Sequence, residues 1–150
     1  MYPRKMIREE LFHSFAVHFP IALLSLTPFL FLGQFIKNEK IKQVSDILFK
    51  SFLYLGLVFF LVALFLGDLS LEIVKKDLPR LQEAFNHEDY SYYTLYIFLL
   101  VLLLDIFSAR VKNLKYLIFV ASIIGVYFLL RTGHSGADLV YNQGAAVLRN

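Results

Sequence analysis

The stretch FAVHFPIALLSLTPFLFLGQFI, Phe15–Ile36, runs for 22 residues without a formal charge. A helix needs about 20 apolar residues to cross about 30 Å of hydrocarbon, so this stretch is long enough to span a membrane unaided. Pro20 lies in its first turn, where a missing N–H costs little. Pro28 lies near its middle and predicts a kink, with Ser25 and Thr27 available to satisfy the backbone groups that the proline frees.

Three further blocks are nearly free of charge: Ser51–Gly67, Tyr90–Ala109 (interrupted only by Asp105) and Tyr116–Leu130. All three need flanking residues to complete a span, and the side chains of Lys50, Lys115 and Arg131 can extend their charges to the membrane interface. The sequence therefore predicts an all-α fold: a single-domain (1–150) integral membrane four-helix antiparallel bundle. The expected spans are about 15–36, 51–69, 90–109 and 115–134.

The composition agrees with a membrane protein. Hydrophobic residues make up 58% of the 150 residues and charged residues 18%, against roughly 45–50% and 25% in soluble domains. The net charge of +3 is too small to suggest a nucleic-acid partner. The chain has no cysteine, which excludes disulfides, thiolate-held clusters and a cysteine nucleophile. Histidine is therefore the main side chain available to bind a metal or cofactor.

The connection between the second and third blocks has a helical stripe of its own. Its apolar residues are Leu71, Val74, Leu78, Leu81 and Phe85, at helical spacing. Pro79 should break the stripe into two pieces. We expect a short amphipathic segment between helices two and three that lies on the membrane surface or caps the bundle.

The basic residues are unevenly distributed between the two ends of the predicted bundle. Residues 37–50 and 110–115 carry seven Lys and Arg in 20 residues, against eight in the 57 residues at the other end. The positive-inside tendency puts the denser end in the cytoplasm. Both termini are then expected on the periplasmic, outer side.

All four histidines fall at that outer end. His13 and His18 begin the first span, His87 precedes the third, and His134 ends the fourth. His13 and His18 are about 7.5 Å apart along a helix and point in different directions. Two stacked sites are therefore favoured, with His18 and His134 deeper and His13 and His87 nearer water.

The residues around these histidines differ in character. An unpartnered His18 inside an apolar block would be costly, whereas His87 lies in a polar stretch that favours a solvated side chain. Gly133 and Gly136, on either side of His134, would let a flat group approach the backbone. Asp68 could orient an imidazole through its second ring nitrogen.

Two runs resemble a known family. LFHSFAVHFPIALL (11–24) resembles the opening motif of the bacterial membrane family called domain of unknown function 2231, and GHSGADLVYNQGAAV (133–147) resembles its closing motif. Ser14 replaces a usual proline and Ala137 a usual glycine, while Gly67-Asp68 and His87 match further family elements. The resemblance implies a four-span inner-membrane protein, and family members are suspected of binding haem through histidines and occur beside respiratory or cytochrome-type domains.

The leading hypothesis is a b-type haem protein of membrane electron transfer, with His18 and His134 as axial ligands. His13 and His87 would hold a second haem, or serve a haem propionate or a quinone. The second hypothesis is a Zn, Cu or Fe ion without porphyrin, bound by His13, His18, His87, His134 and Asp68. The third is a cofactor-free accessory subunit of a respiratory or cytochrome complex, or a homo-oligomer. Phosphate loops, H-E-x-x-H pairs and serine elbows are missing from the sequence, so hydrolase and transferase activities are not expected.

Overall fold

The computed structural model describes residues 10–76, 78–111 and 113–145. Regular structure in these residues is entirely helical. The elements are α1 (Glu10–Ala16), α2 (His18–Phe31), a 3-10 turn (Leu32–Phe35), α3 (Glu39–Val74), α4 (Leu81–Ser108) and α5 (Leu114–Tyr141). The predicted all-α fold is confirmed.

In the described part of the chain, four helical segments are long and apolar enough to cross a membrane: Phe12–Phe35, Glu39–Val74, Leu81–Ser108 and Leu114–Tyr141. The first joins α1, α2 and the 3-10 turn, and the others are α3, α4 and α5. The last three extend well beyond the charge-free blocks of the sequence. Their charged ends are helical as well, because charged side chains are compatible with a helix once it leaves the hydrocarbon.

The helices pack as two antiparallel hairpins, α1–α2–α3 and α4–α5. The hairpins meet through contacts of α2 with α5 and of α3 with α4. The core between them contains fully buried side chains from all four spans, among them Leu24, Leu53, Phe98 and Leu129. Many other apolar side chains face outward, as expected for a bundle in lipid.

Pro28 lies inside α2, and its missing N–H leaves the carbonyl of Leu24 without its usual helical partner. The Thr27 hydroxyl donates a hydrogen bond to that carbonyl at 2.7 Å. The side chains of Thr27 and Leu24 are both completely buried. The sequence predicted that Thr27 would compensate for the proline, and this hydrogen bond does so. It satisfies a carbonyl to which lipid could not donate a hydrogen bond.

The segment between the second and third spans is divided between two helices. α3 continues to Val74 and α4 begins at Leu81, with the break around Pro79 where the sequence predicts one. The apolar stripe is therefore continuous with the spans, because its first residues complete α3 and its last ones begin α4. Leu71, Val74 and Leu78 line a cavity at this end of the bundle, which corresponds to the capping position.

Candidate histidine site

A cavity of about 390 Å³ lies at the end of the bundle where α1 and α4 begin and α3 and α5 end. We call it the histidine cavity; its lining includes His13, His18, Asp68, His87, Glu88 and Gly136. Most of the remaining lining residues are apolar. The volume falls in the range of about 300–1,000 Å³ that is typical of ligand and cofactor sites.

His13 lies on α1 and packs against α3. Its Nδ1 lies 2.8 Å from the carbonyl oxygen of Ala63. Gly67, one helical turn after Ala63, lies beneath the ring, and a Cβ at Gly67 would be 3.1 Å from Cε1 of His13. The absence of a side chain at Gly67 therefore lets the imidazole reach the helix backbone.

His87 lies on α4 and packs against α5 in a similar way. Its Nδ1 lies 3.1 Å from the carbonyl oxygen of Thr132 and 2.9 Å from the hydroxyl oxygen of Ser135. Gly136 follows Thr132 by one turn, and a Cβ there would be 3.0 Å from Cε1 of His87. The expectation of a solvated His87 is wrong, because the ring is half-buried and fixed by α5.

These contacts determine the tautomer of both rings. A backbone carbonyl can only accept a hydrogen bond, so Nδ1 of His13 and of His87 carries the proton and donates it. In the neutral imidazole the proton-free Nε2 then keeps its lone pair for a ligand. A histidine whose second nitrogen donates to a carbonyl is the usual arrangement around a bound metal.

The two rings are neighbours across the cavity. Their centres lie 6.2 Å apart and their planes are inclined at 79°. His13 comes from the first hairpin and His87 from the second, so the pair bridges the two halves of the bundle. The structure thus brings together the two histidines that the sequence analysis grouped nearer water.

His18 and His134 are not brought together. His18 is exposed, lines the cavity, and has its Nδ1 3.3 Å from the carbonyl oxygen of Phe15. His134 is exposed and lies outside the cavity lining. The cavity-facing side of α5 carries Gly133, Gly136 and Ala137. His134 follows Gly133 by one residue, so its side chain points away from the cavity.

Two carboxylates lie beside the histidine pair. Asp68 follows Gly67 on α3 and is within electrostatic range of the His13 ring. Glu88 follows His87 on α4, and both acids line the cavity. Within residues 10–76, 78–111 and 113–145, no three His, Asp or Glu side chains converge as a metal-binding group.

A family model described as a predicted membrane protein, DUF2231, matches residues 10–149. The chain belongs to the DUF2231 family. No curated protein and no solved structure shows a significant match to it. For this DUF2231 protein, the family assignment and the four apolar helices together establish a membrane protein.

Sequence reasoning missed the groups that hold the two rings in this DUF2231 protein. These are the carbonyls of Ala63 and Thr132 and the hydroxyl of Ser135. Every residue has a main-chain carbonyl, so the sequence does not show which of them accepts a hydrogen bond from an imidazole. A usable signal is a glycine one turn after a small or hydroxyl residue near the end of a span, which occurs at Gly67 and again at Gly136.

Proposed function

We propose that this DUF2231 protein transfers electrons in a bacterial inner membrane and binds haem b, with His13 and His87 as the axial ligands. The observation that carries the proposal is the ring pair, since both imidazoles are fixed through Nδ1 and keep Nε2 for iron. Axial ligation by two histidines from different helices suits a helical bundle.

The ring separation is compatible with one metal held between the two imidazoles. With metal–nitrogen bonds of about 2 Å, two opposed imidazoles place their ring centres roughly 6 Å apart, whereas a tetrahedral angle brings them to roughly 5 Å. The observed 6.2 Å lies nearer the first value, and it is also the distance of two rings in edge-to-face contact. His13 and His87 would hold the iron of a haem through their Nε2 atoms, and the haem would supply one-electron chemistry there.

The number of ligands points the same way. A porphyrin supplies four of the six ligands of its iron, so two histidines complete the set. An ion without porphyrin needs three or four converging protein ligands, and the described residues bring no such group together. The hypothesis of a non-haem Zn, Cu or Fe site therefore has less support.

The cavity residues have distinct tasks in this proposal. Ala63 and Thr132 orient the two imidazoles, and Gly67 and Gly136 make room for those rings against α3 and α5. The apolar walls limit access of water to the site, which influences the reduction potential.

The test is the absorption spectrum and metal content of protein purified from a haem-competent host. We expect a Soret band, with iron as the stoichiometric metal. His13→Ala and His87→Ala should each abolish the bis-histidine spectrum, while His134→Ala should retain it because His134 lies outside the cavity.

Three results would contradict the proposal. A protein with stoichiometric zinc or copper and no Soret band would support the non-haem site instead. A protein with neither metal nor haem, and none taken up on haem titration, would support the accessory-subunit hypothesis. Loss of the spectrum in His134→Ala with full retention in His13→Ala would move the site away from the ring pair.

A further inference from the structure

A groove of about 420 Å³ lies between the end of α2 and the start of α3, at the opposite end of the bundle from the histidine cavity. Its apolar lining residues are Phe29, Leu30, Ile41, Val44 and Leu48. Phe29 and Val44 belong to two membrane spans and are 67% and 56% exposed, so the groove is open along the outer surface of the bundle. Outward-facing apolar side chains of a span contact lipid, so an acyl chain can reach the groove directly.

The floor of the groove suits an apolar chain. Among the described residues that line it, only Ser45 and Lys40 have polar side chains. The Ser45 hydroxyl donates a hydrogen bond to the carbonyl of Leu30 at 2.5 Å, so its proton is already used inside the hairpin. Gly33 allows this close approach, because a Cβ there would be 2.5 Å from Cβ of Ser45.

Lys40 gives the groove a charged end. Lys40, Val44 and Leu48 are spaced four residues apart and therefore lie along one face of α3. Lys40 is about 12 Å from Leu48 along the helix axis. Because α3 begins at Glu39, the lysine lies at the end of the span and the apolar residues lie deeper in it.

The charge of Lys40 is not compensated by the described residues. Glu39 pairs with Lys42 at 2.6 Å, and Asp46 pairs with Lys50 at 2.8 Å. Lys40 is exposed and forms no ion pair within the described part of the chain. Both acids of this segment are therefore occupied, and the ammonium group of Lys40 is available to an anion from outside the chain.

We propose that this groove binds one anionic phospholipid, with an acyl chain along Val44 and Leu48 and the headgroup phosphate bound by Lys40. Phosphate oxygens accept strong, charge-assisted hydrogen bonds from an ammonium group, and basic side chains beside a span attract anionic lipids. In a zwitterionic lipid the cation of the headgroup offsets the phosphate, so we expect weaker binding. The site is separate from the histidine cavity and does not depend on haem.

The first experiment measures lipid binding to the delipidated full-length protein by native mass spectrometry. The probes are dioleoyl phosphatidylglycerol, which is anionic, and dioleoyl phosphatidylcholine, which is zwitterionic. Lys40→Gln should raise the dissociation constant of phosphatidylglycerol about fivefold and leave that of phosphatidylcholine unchanged. Lys37→Gln is the matched control, because Lys37 is exposed and basic at the same end but does not line the groove.

Three results would overturn the recognition of an anionic headgroup by Lys40. The first is equal affinity of the unchanged protein for the two lipids. The second is no change of affinity in Lys40→Gln. The third is an equal loss in Lys37→Gln, which would assign the effect to the general positive charge of this end.

The second experiment tests the apolar part of the groove. Val44→Phe places a larger side chain in it and should weaken phosphatidylglycerol binding about fivefold or more. Ile47→Phe is the matched control, because Ile47 is equally exposed on the same helix and does not line the groove. Neither substitution enters the core, so both variants should keep the unfolding temperature of the unchanged protein.

Equal lipid affinity in Val44→Phe and Ile47→Phe would overturn the position of the acyl chain. Competition by glycerol 3-phosphate, which has the phosphate without the acyl chains, would reduce the site to phosphate binding and overturn the lipid. A dimer that is lost in Val44→Phe, with no uptake of phosphatidylglycerol, would show that a second copy of the chain covers the groove instead.

Discussion

At the residue scale, the site depends on two positions where the chain has no side chain. Gly67 and Gly136 each lie under an imidazole, one turn after the carbonyl to which that imidazole donates. Interiors are close-packed, so a methyl group about 3 Å from a ring carbon must displace the ring or the helix. A shift of the ring by a few tenths of an ångström strains the hydrogen bond that orients Nε2.

Gly136→Ala should therefore weaken haem retention. Overpacking of this kind costs about 1–3 kcal/mol, which corresponds to roughly a tenfold or greater rise in the haem dissociation constant. Gly133→Ala is the matched control on the same helix, since its Cβ would meet only the Ile21 side chain, at 3.9 Å. Haem titration of both variants measures the difference, and equal affinities would contradict the role of Gly136.

The limits of sequence reasoning at this scale follow from helical phase. The grouping of His13, His18, His87 and His134 at one end needs only the order of the spans. Which rings meet depends on the rotation of each helix, and α5 turns His134 outward while it presents Gly133 and Gly136 to the cavity. Side chains of neighbouring residues on a helix point in different directions, so one can face the cavity while the next faces outward. The composition of a span does not determine how its helix is rotated about its axis.

At the element scale, α2 depends on the compensation of Pro28 by Thr27. The hydroxyl of Thr27 satisfies the carbonyl of Leu24, which is buried and has no water nearby. Thr27→Val keeps the shape of the side chain but leaves the Leu24 carbonyl without a hydrogen bond. We therefore expect the free energy of unfolding to fall by about 1–3 kcal/mol. Thermal unfolding in detergent measures the loss.

A second substitution separates this effect from loss of packing. Pro28→Ala restores an N–H that can bond to the Leu24 carbonyl. Thr27→Val should therefore cost less in the Pro28→Ala background than in the original chain. Equal costs in both backgrounds would show that the hydroxyl does not compensate for the proline.

The elements themselves could be predicted well, and their ends less well. Charge-free blocks locate the four spans, because burial of a charge in hydrocarbon is costly. They do not locate the ends, since α3 begins at Glu39 and ends at Val74, well outside Ser51–Gly67. The break near Pro79 could be predicted because proline removes a backbone donor.

At the scale of the whole molecule, each hairpin contributes one of the two proposed ligands. His13 belongs to α1–α2–α3 and His87 to α4–α5, so a group bound by both joins the halves. A ligand bound only by the folded protein adds about 2.7 kcal/mol of stability at 100 times its dissociation constant. Haem should therefore raise the unfolding temperature of the unchanged protein.

His13→Ala and His87→Ala should each lose this increase. Thermal unfolding with and without haem measures it for all three proteins. An equal rise in both variants would mean that haem binds elsewhere on the bundle.

The orientation of the bundle determines which compartment the histidine cavity faces. The basic residues are denser at the end formed by 37–50 and 110–115, so we propose that this end is cytoplasmic and the cavity periplasmic.

The chain has no cysteine, so a single introduced cysteine is the only thiol. Gln82→Cys and Gln43→Cys form a matched pair, because both side chains are neutral and exposed and they lie near opposite ends of the bundle. In intact spheroplasts, a membrane-impermeant maleimide should label Gln82→Cys, and Gln43→Cys only after permeabilisation. The reverse pattern would place the cavity at the cytoplasmic face and contradict the proposed orientation.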